Sequence, residues 1–185
     1  MIDDLIADAT RRMDKSVEST QVEFNTVRTG RASAALLDRI NVDYYGQQTP
    51  LKQLATINVP EPRMLTVQPF DPSSIKDIER AIQESELGLT PSNDGKVIRL
   101  PIPQLTEERR KELVKIVRQI GEDGKVAIRN VRRDADKHLK ELKTSGDVGE
   151  DDERRAEERV QKLTDEHTSK IDDLLRRKET EITEV

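Results

Sequence analysis

From Leu105 to Thr144 the chain runs without proline, and its apolar or small residues fall at 113, 117, 120, 124, 128, 131, 135, 139 and 142. Steps of four and three in that order keep to one face of an α-helix. At about 1.5 Å per residue such a helix is roughly 60 Å long. A rod of that length in a chain of 185 residues must be supported along its length by partners.

Two other stretches supply them. Ile2, Leu5, Ala9, Met13, Ser16/Val17, Thr20, Phe24 and Val27 mark one helical face over 2–28. Asp3, Asp4 and Asp8 suit the positive end of its dipole, Arg28 suits the negative end, and Gly30 is a natural stop. Ala156, Val160, Leu163, His167, Ile171, Leu174, Lys178, Ile182 and Val185 repeat the pattern over 150–185. The turn Ser145-Gly146-Asp147-Val148-Gly149 sets the second and third helices antiparallel. Three stripes of this kind predict a long three-helix bundle. Gly121 and Gly124 interrupt the longest helix, each costing about 1 kcal/mol relative to alanine, and predict a softer or slightly bent segment there.

Residues 30–104 read differently. Ile40, Val42 and Tyr44 alternate with polar residues, and Gly46 to Pro50 turns the chain. Thr56–Val59 and Met64–Val67 are short strands separated by Pro60-Glu61-Pro62. Asp71-Pro72-Ser73-Ser74 starts a helix that buries Ile75, Ile78, Ala81 and Ile82, with Gly88 beyond its end. Asn93-Asp94-Gly95 is a hairpin turn before Val97–Leu100. The fold class is therefore α+β with two domains, a small strand-and-helix domain being inserted into a helical body. The chain enters the insert through Arg28-Thr29-Gly30-Arg31 and leaves through Pro101-Ile102-Pro103-Gln104, a pair of connections suited to a two-strand hinge.

Charged residues are 37% of the chain and aromatic ones 2%, which suits narrow helices with much surface. No apolar run reaches membrane-spanning length, no signal-peptide core follows Met1, and the early aspartates speak against a mitochondrial leader. With no cysteine in the chain, a cytoplasmic protein is expected. Enzyme chemistry finds little support. His138 and His167 lie on helices, and Ala135 and Thr164 stand where a di-iron bundle needs glutamate. His167 reads as a packed structural residue and His138 as a surface one. No glycine-rich phosphate loop is present.

The net charge of −5 hides an asymmetry. Leu105–Arg133 holds nine Lys/Arg against five Asp/Glu, whereas Glu150–Val185 holds eight against thirteen. At ~100° per residue, Lys111, Lys115, Arg118, Lys125, Arg129, Arg132 and Arg133 fall within one arc away from the apolar seam. Arginine's planar fork suits phosphate. With two Phe and two Tyr, backbone and shape recognition of folded RNA fits better than base stacking. The competing readings are a solvated face with intrahelical ion pairs, to which Glu122 contributes, and a coiled-coil-like protein-interaction or chaperone module.

Several stretches carry a resemblance. Leu105-Thr106-Glu107-Glu108-Arg109-Arg110-Lys111, Val131-Arg132-Arg133-Asp134-Ala135, Arg28-Thr29-Gly30-Arg31-Ala32-Ser33, Tyr44-Tyr45-Gly46, Thr49-Pro50-Leu51 and Val160-Gln161-Lys162-Leu163-Thr164-Asp165 resemble, in order along the chain, the signature stretches of the bacterial ribosome recycling factor family. One departure is Ala34, where that family often has proline.

The resemblance implies an L-shaped molecule like a tRNA, with an RNA-binding three-helix bundle (1–29 and 105–185) and an inserted β/α/β domain (30–104). It implies a monomeric translation factor that splits the post-termination ribosome with elongation factor G and GTP, freeing messenger RNA and tRNA. No cofactor belongs to the factor itself, since the GTPase is its partner. Carried over by motif, Arg129, Arg132 and Arg133 contact large-subunit ribosomal RNA, with Arg110, Arg28 and Arg31 as weaker candidates. Thr29, Gly30 and Arg31 with Pro103, Gln104 and Leu105 form the hinge.

Overall fold

The computed structural model of the protein describes residues 1–183. The chain forms two compact units, one of Met1–Arg28 with the residues from Glu107 onward, the other of Thr29–Thr106.

The first unit is three helices: α1 (Ile2–Asn25), α3 (Glu107–Thr144) and α4 (Glu150–Thr183). Cross-contacts give their directions. Arg12 pairs with Asp134 at 2.9 Å, while Thr20 lies against Gly124, so α1 and α3 run antiparallel. Asp3 meets Arg159 and Asp14 meets His167, so α1 and α4 run parallel. The α3–α4 turn closes through Gly146 at φ +81°, with Gly146 N–H donating to Lys143 O and Asp147 N–H to Leu142 O.

Ile6, Ala9, Met13, Ile128, Val131, Ala135, Leu139, Ala156, Val160 and Ile171 form the seam. His167 is buried in it, with Nδ1 donating to Leu163 O and Nε2 facing Asp14 Oδ1, both at 2.7 Å. That buried role is the one expected for it, and His138 is exposed.

Periodicity located the seam to within one residue. Ile6 is buried where Leu5 was expected, Gly121 where Ile120 was, and Thr164 more deeply than Leu163. Helix α1 ends three residues before Arg28, where Thr26 Oγ1 donates to Glu23 O at 2.7 Å. Val185, expected on the α4 face, lies outside the described residues.

The two glycines of α3 have a different meaning from the one their propensity implies. The helix is continuous through both. A Cβ at Gly124 would lie 2.3 Å from Thr20 Oγ1 and 2.9 Å from Ile171 Cδ1. One at Gly121 would lie 3.2 Å from Leu175 Cδ2 and 3.7 Å from Phe24 Cζ. Glycine here lets three helices approach closely.

The second unit holds β1 (Asn41–Tyr44), β2 (Gln47–Pro50), β3 (Ala55–Glu61), β4 (Met64–Pro69), α2 (Ile75–Gln83), β5 (Ser92–Asn93) and β6 (Ile98–Pro101). The first two strands are a separate hairpin. The rest form an antiparallel sheet in the order β3-β4-β6-β5. Leu37, Ile40, Val42, Leu51, Leu65, Val67, Ile78, Ile82, Ile98 and Leu100 fill the core. Asp71 starts the helical segment before α2 by accepting from Ser73 N–H at 3.0 Å.

Two turns are tighter than expected. Residues 47–50 are a strand, and the hairpin turn is Tyr45-Gly46 alone, with Tyr44 opposite Gln47. Strand β3 runs through Pro60 to Glu61, opposite Met64.

Asp94 closes the β5–β6 hairpin. Its Oδ1 accepts from Lys96 and Val97 N–H at 2.9 Å, and Arg99 Nη1 donates to Oδ2 at 3.0 Å. The Val97 and Lys96 amides, then Arg99, lower its pKa from 3.8 to about 2. A carboxylate depressed in the folded state stabilises it above the unfolded pKa and loses that contribution as pH falls to about 2. Asp94→Asn is therefore expected to abolish part of the acid sensitivity between pH 3.8 and about 2. Both tyrosines lie in this unit, so tyrosine fluorescence during urea unfolding reads it directly. Parallel losses in wild type and variant would refute the assignment.

Flanking the insert, Ala32 N–H donates to Pro62 O at 2.7 Å and Ile102 N–H to Arg63 O at 2.8 Å. Gly30, at φ +80°, packs against Leu105, whose Cγ would lie 2.9 Å from an added Cβ. Both connecting segments are thus bound to the same β-turn and to each other, within the second unit.

Candidate nucleic-acid interface

The basic arc of α3 exists, but its residues differ in how far they are committed. Neighbouring carboxylates hold the edge that faces α4. Arg118 Nε lies 2.7 Å from Glu179, and Lys125 Nζ lies 3.0 Å from Asp172. Lys125 is also 3.8 Å from Glu122, which Arg129 Nη1 meets at 3.2 Å. Arg132 Nη1 reaches Gln161 Oε1 at 3.5 Å, the limit of a hydrogen bond.

The outer edge is open. Lys111, Lys115 and Arg133 are exposed and enter no ion pair among the described residues. Exposed pairs of the Arg129–Glu122 kind are worth at most ~1 kcal/mol, so a phosphate can displace them.

Arg129, Arg132 and Arg133 lie within about one turn of one rigid helix, so the structure brings these three together. Arg110 lies on the same helix, half-buried and nearer its start. Arg28 is exposed just past α1 in the first unit, and Arg31 is exposed in the second.

An acidic patch borders the arc. Burial raises the pKa of Asp136, against the opposing charges of Arg132 and Lys140. Burial and a hydrogen bond with Glu153 raise that of Glu157. Arg132 thus lies beside the Asp136 carboxylate and opposes the effect of its burial.

Spacing along α3 could not show that Gln161, Asp172 and Glu179 close one edge of the arc. The acidic excess of 150–185 was the available signal.

Other surfaces offer less. An open groove of about 600 Å³ between α1 and α3 mixes Arg12 and Lys15 with Glu23 and Asp123. Among the described residues no group of three His, Cys, Asp or Glu is placed to hold a metal ion, and no helix is long and apolar enough to cross a membrane.

Comparison with known proteins agrees from end to end. A family model described as Ribosome recycling factor matches residues 20–183. The ribosome-recycling factor of Halalkalibacterium halodurans is 57% identical over 185 residues, all of both chains. That of Rubrobacter xylanophilus is 54% identical over 180 residues, 97% of each.

Two solved structures are also similar. A solution structure of the ribosome recycling factor has a TM-score of 0.73 and 44% identity, covering 100% of this chain and 98% of that one. The second is the T. thermophilus ribosome recycling factor, described with E. coli elongation factor G bound to the E. coli post-termination complex. It has a TM-score of 0.64 and 48% identity, over 98% of both chains.

Proposed function

Because the chain belongs to the ribosome recycling factor family, we propose that it acts with elongation factor G and GTP to split the post-termination ribosome, releasing messenger RNA and tRNA. The observation that carries this reading is similarity over the whole chain to a factor described with elongation factor G on a post-termination complex.

In this reading the protein works as a monomer in the cytoplasm and does no bond chemistry. The GTPase supplies the energy, and this chain supplies a rigid body and a grip. The body is the bundle, whose buried seam runs along the three helices. The grip is Arg129, Arg132 and Arg133 on large-subunit ribosomal RNA, with Arg110, Arg28 and Arg31 as lesser contacts. Planar guanidinium groups on a stiff helix meet phosphate oxygens without ordering a loop first.

Movement is assigned to the connections containing Thr29–Arg31 and Pro103–Leu105. The amide bonds of Ala32 and Ile102 to the β3–β4 turn, with the Gly30–Leu105 contact, favour bending at the outer ends of both segments. A force on the insert is then delivered to the bundle through two short strands.

The test is a light-scattering assay on purified post-termination ribosomes with elongation factor G and GTP. Subunit release that requires this chain is expected. Ribosomes that stay joined with all components present would rule the reading out.

A further inference from the structure

His167 is 3% exposed and belongs to neither the arginine face of α3 nor the connections to the insert. Both of its ring nitrogens end on oxygen. Nδ1 lies 2.7 Å from Leu163 O, one turn earlier on α4. Nε2 lies 2.7 Å from Asp14 Oδ1 on α1. A carbonyl oxygen only accepts, and so does an ionised carboxylate. Each contact therefore needs a hydrogen on the nitrogen. Neutral imidazole has one N–H, so one nitrogen would stand bare against an acceptor. Imidazolium has two and satisfies both contacts.

The groups around the ring suit that cation. The α3 side chains of the seam, Ile128, Val131, Ala135 and Leu139, carry no charge. On α4, Glu166 and Lys170 flank His167 in sequence, both exposed and of opposite sign. On α1, Arg11, Lys15 and Glu18 line one open groove with Asp14. Arg11 is paired with Asp8, and Lys15 and Glu18 are of opposite sign. The charge that meets the ring is thus the Asp14 carboxylate. Its side chain is 58% exposed, so water shares in solvating it. A buried charge is tolerated when it is paired and fully hydrogen-bonded, and the His167 ring is both.

From this geometry we infer that His167 carries a hydrogen on each ring nitrogen and acts as a base-sensitive clamp between α1 and α4. The clamp holds while both hydrogens are on the ring. It is lost as rising pH removes one, because the bare nitrogen then faces an oxygen that cannot donate.

The test is multiple-bond nitrogen-15 NMR of the full chain at about pH 7.5, roughly one unit above the ordinary histidine value. His167 should show two hydrogen-bearing ring nitrogens, with the exposed His138 as the internal reference. Asp14→Asn removes the counter-charge at an exposed position and should leave His167 with one bare nitrogen at the same pH. Thermal unfolding followed by helical circular dichroism gives a second reading. The wild-type midpoint should fall by a few degrees more than that of Asp14→Asn as pH rises above about 7. A bare nitrogen on wild-type His167 at about pH 7.5 would overturn the clamp. So would a ring pattern that Asp14→Asn leaves unchanged, or midpoints that fall in parallel.

Discussion

Gly124→Ala is expected to lower the unfolding free energy of the helical unit by about 2 kcal/mol, within the range for overpacking a closed core. The added methyl would sit 2.3 Å from Thr20 Oγ1 and 3.0 Å from Thr20 Cγ2. Thr20 is β-branched and stiff at χ1, and its hydroxyl already donates to Ser16 O at 2.8 Å. It cannot turn aside without losing that bond, and Ile171 blocks the other direction at 2.9 Å. The helices must separate locally, and the gain of about 1 kcal/mol in helix propensity does not offset this.

Gly121→Ala is the control. Its nearest neighbour is the end of the half-buried Leu175 side chain, which can shift. That variant should be neutral or stabilised by up to about 1 kcal/mol. Urea unfolding followed by far-ultraviolet circular dichroism separates the two. Equal midpoints would mean that the α1–α3 approach at Gly124 is looser than described.

Replacing Arg129, Arg132 and Arg133 together by alanine should weaken association with large ribosomal subunits on the order of a hundredfold or more, since hydrogen bonds to charged groups are worth about 1.5–3 kcal/mol each. The dependence of log K on log salt should become shallower by about two to three, roughly one per phosphate contact removed. Folding should hardly change. Arg133 is exposed without an ion pair, and the Arg129–Glu122 pair lies at the surface. Arg132→Ala alone should show the same pattern in smaller measure. Sedimentation with subunits at several salt concentrations provides the measurement. An unchanged salt slope would remove the arc as the RNA grip.

The helices were legible because a buried stripe leaves a periodic trace, which held for α1, α3 and α4. The trace gives the face of a helix but not which neighbour it meets. Gly121 was therefore taken for a soft spot, although Phe24 and Leu175 fill the space its missing side chain leaves. Strand β2 was hidden for a different reason. Gln47, Gln48, Thr49 and Pro50 form the partner of a two-stranded hairpin and bury no apolar side chain, so they carry no alternation. The basic arc was visible as a charge pattern. Its division into a held edge and an open edge depends largely on α4, whose Asp172 and Glu179 lie more than forty residues further along the chain than Lys125 and Arg118.

Gly30 shows how tightly one position of this chain can be fixed against drift. Its φ of +80° penalises any side chain by about 1–2 kcal/mol, and Leu105 occupies the place where a Cβ would go. The two penalties are independent. A smaller residue at 105 relieves the clash but leaves the dihedral, so no single second-site change rescues a replacement at 30. At Gly46 the dihedral acts alone, because nothing lies within 4 Å of an added Cβ, and asparagine is a tolerable visitor there. A library randomised at both positions should therefore return glycine alone at 30 and a short list at 46. Paired randomisation of 30 and 105 should enlarge the choices at 105 only.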